Sequence, residues 1–177
     1  MIMSDEILKV VNKLYKQGDF QYLLGKFVDK HFLDGEINKI PNISVDNITD
    51  FSYSTCFSYI LLPLDVKFRF GSVEFSEYVR KQSEINYVML MISAIAPYAV
   101  VKYFRCRYTN GTIDLVEESS PYNDESKKIE SSILKLLDSH GIKNLDKETL
   151  SIEVEDVSLE LKETGVTIYN CLFEDEY

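Results

Sequence analysis

The sequence contains no tryptophan, two histidines, three cysteines, four prolines and seven glycines in 177 residues. Each shortage removes a class of chemistry. His31 and His140 lie far apart, and neither has a second His, Cys or carboxylate at ligand spacing. That leaves no His-based metal site and no nucleophile–histidine pair. His31 reads as a helix-surface side chain, and His140 as a favourable cation near a helix C-terminus. The glycines stand singly at turns, so no Gly-rich phosphate loop is present, nor any Walker, nucleophile-elbow, zinc-finger or EF-hand spacing. No cofactor and no metal is expected.

The cysteines, Cys56, Cys106 and Cys171, are odd in number and set among β-branched and aromatic residues. They read as buried thiols in a reducing compartment rather than a disulfide frame. Cys106 alone has charged neighbours, Arg105 and Arg107. On a strand its side chain faces away from both, so they need not lower its pKa.

Long apolar runs are also missing. The richest window, Val88 to Val101, holds Ser93, Pro97 and Tyr98, and falls short of the roughly 20 residues a spanning helix needs. The N-terminus has no basic n-region or long apolar stretch. A cytoplasmic protein without membrane association is expected. Basic residues are scarce as well: 19 Lys+Arg face 29 Asp+Glu, giving a net charge of −10 and a pI near 4.7. That balance argues against nucleic acid and anionic membrane, which need cations to neutralise phosphate.

What is present is a core and a charge division. The 45% hydrophobic content, with 12 Tyr and 10 Phe, suffices for one domain over residues 1–177. Residues 1–110 carry 13 basic against 12 acidic groups, whereas residues 111–177 carry 6 against 17. A field of one sign serves solubility or attracts a cationic partner. The candidate partner-binding residues are therefore Glu117, Glu118, Tyr122, Asp124, Glu125, Glu153, Glu155, Asp156 and Glu160. Tyr122 joins them because a tyrosine beside a turn contacts a partner at low entropy cost, as Tyr98, Tyr108 and Tyr177 could also do. With 29 acids any carboxylate pair could be nominated for glycosidase-type catalysis, so such a pair carries no weight.

The periodicity predicts an α+β fold, an antiparallel sheet covered by helices and opened by an N-terminal helical pair. The pair covers Ser4 to Gly18 (Ile7, Leu8, Val11, Leu14, Tyr15) and Asp19 to about Phe32. Residues 36–51 read as a loop. Tyr53–Tyr59 and Val66–Phe70 alternate as strands, and Gly71-Ser72 suits either a hairpin turn or a helix cap. Spacing predicts a helix from Ser76 to Ile95. Val101–Tyr108 and Ile113–Leu115 flank Asn110-Gly111, the strongest short-range hairpin signal. A helix follows from Pro121 to about Ser139, closed by Gly141, then a short helical turn between Leu145 and Leu150. Val166–Phe173 is predicted as a terminal strand.

Two stretches carry a resemblance. Phe75-Ser76-Glu77-Tyr78-Val79, leading through Asn86 to Ile92-Ser93-Ala94-Ile95-Ala96-Pro97-Tyr98, is one. Val166-Thr167-Ile168-Tyr169-Asn170-Cys171-Leu172-Phe173, with Asp175 following, is the other. With small size and acidity, they resemble cytoplasmic immunity proteins of bacterial toxin systems. The resemblance implies a non-enzymatic inhibitor that binds and blocks a basic toxin domain, often a nuclease. A structural or adaptor subunit acting by oligomerisation, and a small enzyme with an unrecognised site, are the alternatives.

Overall fold

The computed structural model describes residues 2–22 and 31–174. In chain order its elements are α1 (Ile2–Gln17), α2 (Asp34–Ile37), β1 (Ile43–Asn47), β2 (Cys56–Pro63), α3 (Val73–Gln82), β3 (Glu84–Ser93), β4 (Tyr98–Thr109), β5 (Thr112–Glu118), α4 (Asp124–Ser139), β6 (Lys143–Asn144), α5 (Lys147–Leu150) and α6 (Ile168–Leu172). Strands β1 to β5 lie side by side in chain order, each antiparallel to its neighbour. β6 adds in parallel to β4, with Tyr98 opposite Lys143. The fold is α+β, as the periodicity predicts.

Alternation along the strands sends successive side chains to opposite faces. On one face Cys56, Met91 and Val100 pack with Ile7, Val11 and Leu14 of α1 and with Ile168, Cys171 and Leu172 of α6. Farther along that face Ile60, Leu62, Ile85, Tyr87 and Cys106 meet Phe75 and Val79 of α3. On the other face Phe57, Tyr59, Leu61, Val88, Leu90 and Ile92 lie beneath Ile37 of α2 and Ile133 and Leu137 of α4. The sheet is therefore covered on both sides, and its inner strands are apolar on both.

That double cover overturns the predicted helix Ser76–Ile95. Only its first part is helical, capped by Ser72, whose hydroxyl accepts from the Phe75 N–H at 3.1 Å. Ser83, at φ 67°, ends it, and the chain re-enters as β3. The apolar residues after Asn86 surround the chain because they meet two covers, as in any strand buried on both faces. Periodicity alone does not separate such a strand from a buried helix.

The terminal strand is also a correction. Residues 168–172 form α6, nucleated by a capping box: the Thr167 side chain accepts from the Asn170 N–H, and the Asn170 side chain accepts from the Thr167 N–H. Five consecutive buried residues follow from packing all round, not from pleating. β2 begins three residues later than predicted and runs on through Ile60-Leu61-Leu62; Tyr53 sits in a turn, 82% exposed. Val66–Phe70 is irregular, because the chain turns where the Val66 N–H donates to the Pro63 carbonyl at 3.0 Å. The expected loop at 36–51 includes β1. α1 starts at Ile2, which puts Ser4 inside it. The expected second helix of the opening pair falls largely on residues 23–30, outside the described residues.

The β4–β5 hairpin forms as read. Asn110 and Gly111 both take positive φ, 52° and 92°, which a two-residue turn of the I′ type requires. α4 is capped by Asn123, whose side chain accepts from Ser126 N–H at 2.8 Å, and Gly141 leaves it at φ 66°. All three cysteines are free and buried.

Asn170 is the anchor of the C-terminal cover. Its Oδ1 accepts from the Thr167 N–H and hydroxyl at 3.0 and 2.8 Å, and its Nδ2 donates to the Glu174 carbonyl at 3.1 Å. Because Asn170 is 1% exposed, its loss strands partners with little water to replace it. Asn170→Ala is expected to lower stability by about 2 kcal/mol and Thr167→Ala by about 1 kcal/mol, read by urea denaturation at unchanged slope. Equal, near-zero effects would contradict the capping role.

Candidate functional site

The acidic residues of the last third do not share one surface. Glu118, Tyr122, Asp124 and Glu125 belong to the side of the sheet covered by α4. Glu153, Glu155, Asp156 and Glu160 belong to the opposite side, on the segment that packs with α1 and α6. Glu117 alternates away from Glu118, toward the α6 side, where its charge is felt by the Tyr169 hydroxyl.

The α4-side group is largely compensated within the protein. Arg105 bridges Glu118 at 2.5 Å, Arg107 bridges Glu84 at 2.9 Å, and Lys127 lies 3.3 Å from Asp124. The Arg105 guanidinium sits 5.6 Å from the Tyr122 ring centroid, and the Tyr122 hydroxyl helps to lower the Glu84 carboxyl. Tyr122 is thus half-exposed and tied to an internal charge cluster. Tyr98, expected beside a turn as a contact, is buried instead.

The segment 151–166 is arranged differently. Val154, Val157, Leu159 and Val166 point inward and are buried in the cluster with α1 and α6. Backbone bonds pin it: Val154 N–H to Val166 O at 2.7 Å, Ile168 N–H to Ile152 O at 2.9 Å, and Leu159 N–H to Lys162 O at 2.9 Å. With every apolar side chain of that set turned in, Glu153, Glu155, Asp156, Glu160 and Glu163 are turned out and exposed. Asp156 holds a left-handed backbone at φ 58°. Of these five carboxylates only Asp156 has an ion pair among the described residues, to Lys16 at 3.7 Å, and Lys162 lies among them in the same segment. Leu161, 62% exposed, stands among these carboxylates. The result is an anchored, outward-facing acidic ledge with one apolar contact point.

Between α4 and the edge of β3 lies a cavity of about 330 Å³, which the sequence reading did not find. Its lining includes Asp65, Tyr78, Glu84, Asn86 and Glu125. Tyr78 donates to Asp65, and burial together with that carboxylate pushes its hydroxyl up to about 12. The signal that could have found the cavity is Pro63, which stops β2 while β3 continues.

Burial pushes the Cys56 and Cys106 thiols up to about 11, away from the thiolate form. Cys106 faces away from Arg105 and Arg107, as alternation requires. His31 and His140 pair with Asp34 at 2.7 Å and Glu36 at 3.1 Å respectively. Among the described residues no cluster of three His, Cys, Asp or Glu could hold a metal ion, and no helix is long and apolar enough to cross a membrane.

No family model matches the chain, and comparison with curated proteins and with solved structures found no similar one.

Partial burial alone would raise the Glu84 carboxyl, but a hydrogen bond from Arg107, the Tyr122 hydroxyl and the charges of Arg107 and Arg105 hold it below its ordinary 4.5. A depressed carboxylate contributes stability above its unfolded pKa, and that contribution is lost as pH falls through the folded value. Glu84→Gln is therefore expected to lower stability at pH 7 by no more than about 1 kcal/mol. The gap to wild type should close as the pH is taken below 4.5. Denaturant titrations of both proteins at several pH values check this; a pH-independent gap would contradict it.

Proposed function

We propose that the protein is a non-enzymatic acidic binding protein of the immunity type, which docks on a basic toxin or enzyme domain and blocks it. The observation that supports this reading is the 153–163 ledge. Four buried apolar anchors fix a backbone from which the side chains of Glu153, Glu155, Asp156, Glu160 and Glu163 project into water. A face kept only for solubility does not need a rigid mount, and mixed charges such as those of α4 serve that purpose. Carboxylates projecting from an anchored backbone steer a cationic partner during approach, and Leu161 supplies apolar area to desolvate once contact is made. Within the candidate residues the proposal places the first contact at Glu153, Glu155, Asp156 and Glu160. Glu117, Glu118, Tyr122, Asp124 and Glu125 lie outside that first contact.

A second reading, a subunit that pairs with its own kind, is favoured by β5. It is the outer strand beyond β4, and Ile113, Leu115 and Val116 are exposed by 37%, 53% and 43%. An apolar edge of this sort invites strand pairing, although Asp114, Glu117 and Glu118 on the same strand oppose the approach of a like-charged copy.

The test is co-expression with the basic product of a neighbouring gene, followed by stopped-flow association across a salt series. The triple charge reversal Glu153→Lys, Glu155→Lys and Asp156→Lys is expected to slow association about tenfold at low salt and to flatten the salt dependence. An unchanged rate would remove the ledge from the interface. Recovery of a homodimer that Leu115→Lys dissociates, with no basic partner, would favour the second reading.

A further inference from the structure

The cavity beside β3 is a vacated strand position. The β2–β3 ladder runs from Cys56 opposite Ser93 to Leu61 opposite Val88 and stops there. In the continued register Asn86 would face Pro63, which has no N–H to give its carbonyl. Beyond Pro63 the chain turns away, fixed by the Val66 N–H to the Pro63 carbonyl at 3.0 Å.

The phase of the ladder says which backbone groups face the gap. Ala94 N–H donates to Thr55 O at 2.8 Å, and Tyr108 N–H donates to Ser83 O at 2.9 Å. Even-numbered residues of β3 therefore direct their N–H and C=O toward β2, and odd-numbered ones toward β4. Glu84 and Asn86 thus direct theirs into the space that β2 leaves. Tyr78 and Gln82 of α3 wall the gap on one side, Ser126 and Ile129 of α4 on the other, and Leu61 and Val88 line its inner end. A second depression, reaching Leu64 and Lys67, shares Asn42, Pro63, Asp65 and Glu125 with it, so the two lie end to end as a slot.

The side chains set the chemistry of an occupant. The Asn86 Oδ1 is buried and has no partner, an acceptor without a donor. Three carboxylates, Asp65, Glu84 and Glu125, line the cavity with Lys128, and Lys67 lies farther out; Glu84 is bridged by Arg107 and Asp65 accepts from Tyr78, which leaves Glu125 without an ion pair among the described residues. Lys and Arg side chains carry donors and no acceptor, which suits such a lining. The open strand edge in turn suits a peptide backbone, since an added strand takes its affinity from main-chain bonds and its specificity from alternate side chains.

We infer that this slot docks an extended peptide segment of a partner protein, which adds to β3 at Glu84 and Asn86 and places a lysine or arginine side chain against Asp65, Asn86 and Glu125. The site lies on the α4 side of the sheet, apart from the 153–163 ledge, and does not depend on it.

The test pans a displayed library of random heptapeptides against the full chain. The expected winners carry a Lys or Arg flanked by β-branched residues and bind in extended form. In complex with one such synthetic peptide, hydrogen exchange of the Glu84 amide should slow at least tenfold relative to the free protein. Glu125→Lys, on an exposed helix position with the Asn123 cap intact, should weaken that peptide about tenfold while the circular dichroism spectrum stays unchanged. Asn86→Leu should weaken it as well. Several results would overturn the inference. These are no enrichment over a blank surface, winners insensitive to both variants, a Glu84 amide already protected in the free protein, or competition by spermidine alone, which would make the slot a small-amine pocket. None of these outcomes bears on the ledge.

Discussion

The structure depends on one constraint, the burial of β3 on both of its faces. Tyr87, Met91 and Ile85 need one apolar cover, and Val88, Leu90 and Ile92 need another. At roughly 25 cal/mol per Å² of apolar surface removed from water, leaving either face open would forfeit a large part of the stability of a domain this size. Both covers must therefore be supplied. The chain supplies α1, α3 and the 151–172 region to one face, and α2 and α4 to the other.

This division decides where the charge goes. Residues 124–139 and 151–172 belong to the acidic third of the sequence, yet they cover opposite faces. Each must turn its polar side to water, so carboxylates adjacent in sequence are separated by the thickness of the sheet. On the α4 side they meet Arg105, Arg107, Lys127 and Lys128, and the potential is mixed. On the α6 side the five carboxylates from Glu153 to Glu163 meet two cations, Lys16 of α1 and Lys162 of the segment itself, so the balance stays acidic. Confinement in sequence thus yields one predominantly acidic feature rather than a platform built from the whole set. The proposed role follows from that feature alone. The premature end of β2 at Pro63 leaves β3 with a stretch of unpaired edge on its other margin, which makes the slot a separate property of the same strand.

Much of the fold is legible from local chemistry. Asn110-Gly111 declares its hairpin because two positive φ angles leave few other residue choices. Gly18 and Gly141 mark helix ends for equally local reasons, and the burial of Cys56, Cys106 and Cys171 follows from their apolar neighbours. What is illegible depends on tertiary cover. Val88 to Ser93 is apolar all round, which fits a buried helix as well as a central strand, and only the second helical layer settles which it is. Ile168 to Leu172 has a strand-like composition, but the reciprocal Thr167–Asn170 bonds start a helix and burial sustains it. In the candidate site, the acidic residue set was readable from composition, but the outward orientation of Glu153, Glu155, Asp156 and Glu160 was not, because Val154, Val157 and Leu159 follow neither a strand nor a helix period. Their separation from Asp124 and Glu125 was not readable, because nothing local records which face of the sheet an element covers.

Native-state hydrogen exchange of β3 tests this account most directly. If β3 is the doubly buried centre of an antiparallel sheet, the amides of Val88, Leu90 and Ile92 toward β2, and of Met89 and Met91 toward β4, should exchange only through global unfolding. They should then rank with the slowest in the protein. Exchange of these amides at rates close to those of the exposed β5 edge would contradict the arrangement and, with it, the separation of the two acidic groups.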